Sequence, residues 1–170
     1  MDKTILYIQG KDKPGIISNI SKKINACNGN IEISKMIRLE SFFNMIILIS
    51  ISKNDLLDLK ESLNLIKSDL FIRINTSEIK STPINLYSFT LKGADTIGLV
   101  YRFTDYFSEN NINIDNMETK INNAPITGHP LFFLNATINI PQEINIKELK
   151  NELIKLSEKC NVAIKIKQLD

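Results

Sequence analysis

Two short stretches of this 170-residue chain have a spacing suited to holding a small charged molecule: "DKPGII", Asp12 to Ile17, and "DTIGLV", Asp95 to Val100. Each follows a strand-like run and opens a helix-like one. Free N–H groups and the positive end of the helix dipole accept an anion at such a junction. Pro14 fits the first turn, where a missing N–H costs nothing, and Asp12 or Lys13 is expected at the helix start; Asp95 and Thr96 are good caps for the second stretch. Gly15 and Gly98 are less easily explained, because glycine inside a first helical turn costs about 0.5–1 kcal/mol relative to alanine. Something is expected to approach the backbone closely there, either a neighbouring strand or the carboxylate of a ligand. If that ligand is an amino acid, its ammonium group needs Asp12 or Asp95, through a charge-assisted hydrogen bond. An asparagine amide could then bridge both ends. Asn30 and Asn113, farther along, are candidates. The same "NGN" and "NIN" segments could equally just end a helix, since Asn and Gly tolerate the left-handed conformation. Ile112 stands where the first copy has Gly29, so the second turn is expected to differ.

The elements that must position these residues are written twice. At an offset of 83, from Gly15 to Gly98, Leu6 pairs with Phe89, Ile8 with Leu91, Gly10 with Gly93 and Asp12 with Asp95. Ile16, Ile17, Ile20 and Ile24 match Leu99, Val100, Phe103 and Phe107, one buried helix face in each copy. A second ladder, Leu56, Leu59, Leu63, Ile66 and Leu70, returns at an offset of 90 as Ile146, Leu149, Leu153, Leu156 and Cys160. The extra residues between the helices are assigned to "NNAPITGHP", Asn122 to Pro130, where two prolines and a glycine break regular structure. Alternating runs at 4–9, 31–39, 43–51, 86–92 and 131–140, with "FIRI" and "VAIKIK", read as strands. Each copy is therefore βαββαβ. The fold class is α+β: two tandem ferredoxin-like domains, antiparallel sheets with helices on one face. Residues 1–76 and 84–170 form the domains, and the polar segment 77–83, closed by Pro83, is the linker. About 80 residues make a marginal core, so packing against the sister copy is expected, and it would hide a sheet edge.

Composition excludes several classes. Twenty-one Lys and Arg against nineteen Asp and Glu leave a net charge of +2, too balanced for an electrostatic grip on nucleic acid or an anionic membrane. The N-terminal apolar run is too short for a signal peptide or a spanning helix, so a cytoplasmic location is expected. Cys27 and Cys160 are not spaced as a metal or redox motif and read as packed, reduced thiols. His129, the single histidine, lies in the inserted loop without a nucleophile or acid fixed beside it, so no catalytic residue, metal site or cofactor is expected. An RNA-recognition module shares the topology, but "ESFFNMIILI" and "GHPLFFLNAT" lack its third-strand glycine and aromatic spacing.

The motif "DKPGII…GNIE", with its degraded copy "DTIGLV…NNINID", resembles the ACT domain, a regulatory module that binds amino acids. Two such modules without an attached enzyme, together with "GHPLFF" and "INIP", are similar to the glycine cleavage system transcriptional repressor family. The resemblance implies a non-enzymatic regulator that senses a small amino acid, glycine first, and controls glycine cleavage genes through a DNA-binding transcription factor, without touching DNA itself. It also implies a homo-oligomer and a ligand site drawn from Asp12, Lys13, Pro14, Gly15, Ile16, Asn30 and Ile31, with Asp95, Gly98 and Asn113 from the second copy. Ile97 stands where the motif has proline, so the first copy is expected to hold the better site. A ligand-free protein-interaction module and an RNA-binding ferredoxin-like module are the alternatives.

Overall fold

A computed structural model of the chain describes residues 2–66, 70–76, 85–123 and 128–169. The chain divides into two compact units, Met1–Lys80 and Ser81–Asp170. The first contains β1 (Asp2–Lys11), α1 (Ile16–Ala26), β2 (Asn30–Leu39), β3 (Phe42–Ile51), α2 (Lys53–Asn64) and β4 (Leu70–Thr76). The second contains β5 (Leu86–Ala94), α3 (Leu99–Glu109), β6 (Asn113–Asn123), β7 (Pro130–Asn139), α4 (Ile146–Lys159) and β8 (Val162–Gln168). Both are βαββαβ. Strand orders are β2-β3-β1-β4 and β6-β7-β5-β8, every neighbouring pair antiparallel. The proposed linker 77–83 and the middle of the inserted loop, 124–127, lie outside the described residues.

Period-2 alternation decides which sheet face is covered. Leu6 and Ile8 of β1 and Phe43, Met45, Ile47, Ile49 and Ile51 of β3 are buried, and they meet Ile20 and Ile24 of α1 and Leu56, Leu59 and Leu63 of α2. Each such aliphatic side chain contributes roughly 1.5–3 kcal/mol by leaving water. The second unit rebuilds this core with larger rings where the first has Leu6, Ile20 and Ile24. Phe89 packs edge-on against Phe107 at 5.1 Å between centroids, and Phe103 lies 5.7 Å from Phe89. Offset and edge-to-face ring pairs add about 0.5–1.5 kcal/mol beyond their area.

Helix entry differs from the sequence expectation. Asp12, Lys13 and Pro14 precede α1 rather than opening it, and Gly15 is the N-cap; Gly98 does the same for α3. Among the described residues neither helix receives a side-chain cap bond. The glycines are therefore not interior to a first turn. The turn after each helix also corrects an expectation, because the two copies share it. Asn28 and Asn111 take the left-handed conformation at φ 53° and 55°. Gly29 N–H bonds to the Ile24 carbonyl at 2.9 Å, and Ile112 N–H bonds to the Phe107 carbonyl at 2.8 Å. Gly29 is thus not the left-handed residue. A Cβ there would stand 2.9 Å from Ile24 Cγ2, whereas Ile112 is accommodated in the core of the second unit.

Candidate functional site

In each unit the loop from the first strand to the first helix is held by the same three backbone bonds. Asp12 N–H reaches the Ser41 carbonyl (2.8 Å), Ile16 N–H the Lys13 carbonyl (3.4 Å) and Asn19 N–H the Gly15 carbonyl (2.9 Å). Their counterparts are Asp95 to Pro130 (3.3 Å), Leu99 to Thr96 (3.4 Å) and Arg102 to Gly98 (3.0 Å). The loop is tied down at both ends, and its tip turns back on itself through a left-handed residue. Gly15 has φ +87° and Gly98 φ +88°, a region costly for residues with a Cβ. A Cβ at either glycine would meet nothing within 4 Å. This corrects the expectation of a strand pressed against the backbone: chain reversal, not crowding, requires these glycines.

Open space above Gly15 is part of a cleft of ≈ 480 Å³ lined by Asp12, Lys13, Pro14, Gly15, Ile16, Ile17, Ser18, Met36, Arg38 and Phe43. Because Gly15 supplies no cap, the amides of Ile17 and Ser18 at the start of α1 have no intrahelical acceptor. Opposite them, Arg38 on β2 sends Nη1 to within 3.3 Å of Asp12 Oδ2. The cleft thus combines backbone donors, a carboxylate, a guanidinium and an apolar floor of Ile16, Met36 and Phe43. Such a set complements both charges of a zwitterion. Lys13 and Ile16 also line an adjoining groove with Lys11, Asn19, Leu65, Ile66 and Leu70.

Asp12, Lys13, Pro14, Gly15 and Ile16 are therefore brought together. Asn30 and Ile31 are not: Asn30 pairs with Ser50 and Ser50 with Lys3, whereas the loop follows Lys11, which pairs with Phe42 beside Leu39. They sit at the other end of the same sheet. Asn113 occupies the corresponding place in the second unit, distant along β6 from Asp95 and Gly98, and donates from Nδ2 to Asp115 Oδ1 at 2.6 Å. A β-bulge interrupts pairing between Ile31 and Ile33 and again between Ile114 and Asn116. The acid of each N-I-(D/E) motif, Glu32 or Asp115, sits on that bulge, and Glu32 pairs with Lys3 Nζ at 2.8 Å.

Arg38 is the charged cleft residue the sequence reading missed, along with Ile17, Ser18, Met36 and Phe43. Its signal was its place four residues before Phe42 in a predicted hairpin, which sets the end of β2 beside the loop. The second unit lacks it, because the register Ile121↔Phe132 repeats Arg38↔Phe43. Ile97, in place of Pro14, is 99% exposed. Among the described residues no cluster of three or more His, Cys, Asp or Glu side chains is placed to hold a metal, and no helix is long and apolar enough to cross a membrane.

Residues 4–77 match the ACT domain. An UPF0237 protein of Methanococcus maripaludis is 31% identical over 77 residues, which cover 44% of this chain and 86% of that protein. The chain belongs to the ACT-domain proteins. Its tandem form is similar to the glycine cleavage system transcriptional repressor of Escherichia coli, 30% identical over 114 residues, 65% of this chain and 60% of the relative. The chain therefore spans about 60% of the length of that curated relative. Among solved structures, a protein of unknown role from Galdieria sulphuraria superimposes with TM-score 0.89 over 99% of both chains at 24% identity. A structure provisionally assigned as a glycine cleavage system transcriptional repressor gives TM-score 0.72 at 18% identity, over 99% of this chain and 98% of that one. At these identities the superpositions establish the tandem ferredoxin-like fold.

Proposed function

We propose that this tandem ACT protein is a non-enzymatic regulator that senses a small amino acid, glycine first, and controls transcription of glycine cleavage genes through a DNA-binding protein partner. ACT units over 1–76 and 84–170, joined by 77–83, carry the two functions of sensing and partner contact. The observation that carries the reading is the cleft at Gly15, in which uncapped helix amides face Asp12 and Arg38 across ≈ 480 Å³. In this reading the ligand carboxylate is received by the amides of Ile17 and Ser18. Its ammonium takes Asp12 in place of Arg38, and the released guanidinium closes on the carboxylate. Ile16, Met36 and Phe43 offer no hydrogen-bond partner to a polar side chain, which favours a small apolar amino acid such as glycine or alanine. Similarity to the repressor supports the regulatory role, and the near-neutral charge supports action through a protein rather than on DNA.

Thermal unfolding against a panel of the twenty amino acids tests this. A ligand at about 100 times its dissociation constant adds roughly 2.7 kcal/mol to the unfolding free energy. Stabilisation by glycine, and weaker stabilisation by bulky amino acids, is the expected result. A panel in which none shifts the midpoint would leave the chain an interaction module without a ligand.

A further inference from the structure

The uncovered face of each sheet separates the two units more sharply than their loops do. Residues between the buried positions point away from the helices, and the strand registers arrange them in rows. In the first unit the rows are Ile33–Leu48–Ile5–Asn75, Lys35–Ile46–Tyr7–Arg73 and Ile37–Asn44–Gln9–Phe71, with Leu39 and Phe42 at the end. The corresponding rows of the second unit are Asn116–Thr137–Ser88–Lys167, Glu118–Asn135–Thr90–Lys165 and Lys120–Phe133–Lys92–Ala163. One face is mostly aliphatic and aromatic; the other is polar and charged. On the first, Ile33 is 57% exposed, Ile46 49% and Phe71 61%. Folding of the unit does not require these side chains to be apolar, since its twin folds the same way with Asn135 where the first has Ile46.

We infer that the open sheet face of the first unit is the surface through which two copies of this chain associate, first unit against first unit. The counterpart must be apolar, and among the described sheet faces only the same face of another copy is. The polar face of the second unit would bury Glu118, Lys120 and Lys165 against aliphatic side chains, an unfavourable pairing. A patch that pairs with itself gives a closed two-fold dimer rather than an open chain. Its size suits that role. Four strands about 4.8 Å apart, each offering roughly eight residues at about 3.3 Å, span about 500 Å² in projection. Side-chain relief raises the accessible area toward the ~800 Å² per partner that standard interfaces bury.

Charge placement agrees. Lys35 and Arg73 stand on the two outer strands, about 14 Å apart across three strand spacings, and leave the centre to Ile5, Tyr7, Ile46 and Leu48. Both charges therefore fall on the rim, and the polar groups on the central strands of these rows, Asn44 and Gln9, are uncharged. The rim cations can reach solvent along their stems when sheets stack about 10 Å apart. Branched aliphatics at the centre also disfavour single-stranded nucleic acid as the occupant, since base stacking needs flat rings on adjacent central strands.

Sedimentation velocity of the full chain at tens of micromolar, in low salt and in 1 M NaCl, tests the inference. The expected particle has twice the chain mass, and salt leaves the association unchanged or tightens it by screening the rim cations. Ile46→Lys, which buries a charge at the centre, should weaken association at least tenfold, while Asn135→Lys on the equivalent position of the second unit should not. Circular dichroism reports whether each variant folds; should Ile46→Lys not fold, Phe71→Lys on the exposed edge strand carries the same expectation. A monomeric wild-type chain, a dimer that survives both substitutions, or a dimer dissolved by salt would overturn the inference. Wild-type binding to a single-stranded RNA oligonucleotide that Ile46→Lys abolishes would assign the face to nucleic acid instead.

Discussion

Arg38 Nη1 stands 3.3 Å from Asp12 Oδ2 in the first unit, and the second unit has Ile121 where Arg38 would be. The duplicated loops thus share a backbone and differ in charge. Asp12→Asn keeps the shape of the loop and removes the acceptor that the ligand ammonium needs. A charge-assisted hydrogen bond contributes about 1.5–3 kcal/mol, so glycine affinity measured by calorimetry should fall roughly tenfold to a hundredfold. Asp95→Asn should change it little.

Gly15 and Gly29 should respond to alanine for different reasons. At Gly15 there is room but the backbone is left-handed, so Gly15→Ala should cost about 1–2 kcal/mol in urea unfolding. Asn, which tolerates that conformation, should cost less. At Gly29 a Cβ would stand 2.9 Å from Ile24 Cγ2 in the packed core, so Gly29→Ala should be costly through overpacking, at about 1–3 kcal/mol. Gly29→Asn should be no better than alanine. Equal tolerance of asparagine at both sites would contradict this assignment of causes.

How much of this was legible in the sequence follows from which contacts are local. Helix faces such as Ile20 with Ile24 and Phe103 with Phe107 are written within one turn, so the repeat and its topology could be read directly. The role of Gly15 could not, because three residues before the helix look the same in sequence as its first turn; only the φ of +87° tells them apart. Arg38 meets Asp12 through the registers Arg38↔Phe43 and Lys11↔Phe42, and a one-residue slip in either would turn it to the other face. The bulges at Glu32 and Asp115 were hidden for a similar reason. They exist only relative to β3 and β7.

Thr4 is fully buried, and its hydroxyl has no hydrogen-bond partner among the described residues, while Tyr87 holds the equivalent position in the second unit. Thr4→Val exchanges an unsatisfied oxygen for a methyl of similar size. It should raise the unfolding free energy by about 1 kcal/mol, read as a higher urea midpoint with an unchanged slope. A loss of stability would mean that the hydroxyl is satisfied.

Ser52 caps α2 by accepting from the Asp55 amide, and its hydroxyl donates to the Asp55 carboxylate. That bond first, and a second from Asn28, hold the Asp55 carboxyl below its usual value. A depressed folded-state pKa stabilises the protein above the unfolded pKa and is lost as pH falls through the folded one. Loss of the helix cap alone should make Ser52→Ala cost about 1 kcal/mol at neutral pH. The difference between variant and wild type should shrink on acidification below about pH 4.

Amide chemical shifts of the 15N-labelled chain during titration with glycine decide whether the first loop is the ligand site, because they report where a ligand sits rather than only whether it binds. The largest shifts are expected at Gly15, Ile16, Ile17 and Ser18, with smaller ones at Gly98 and Leu99 and side-chain changes at Arg38. Shifts confined to the second loop or to the segment around His129, or a spectrum unchanged at saturating glycine, would contradict that assignment.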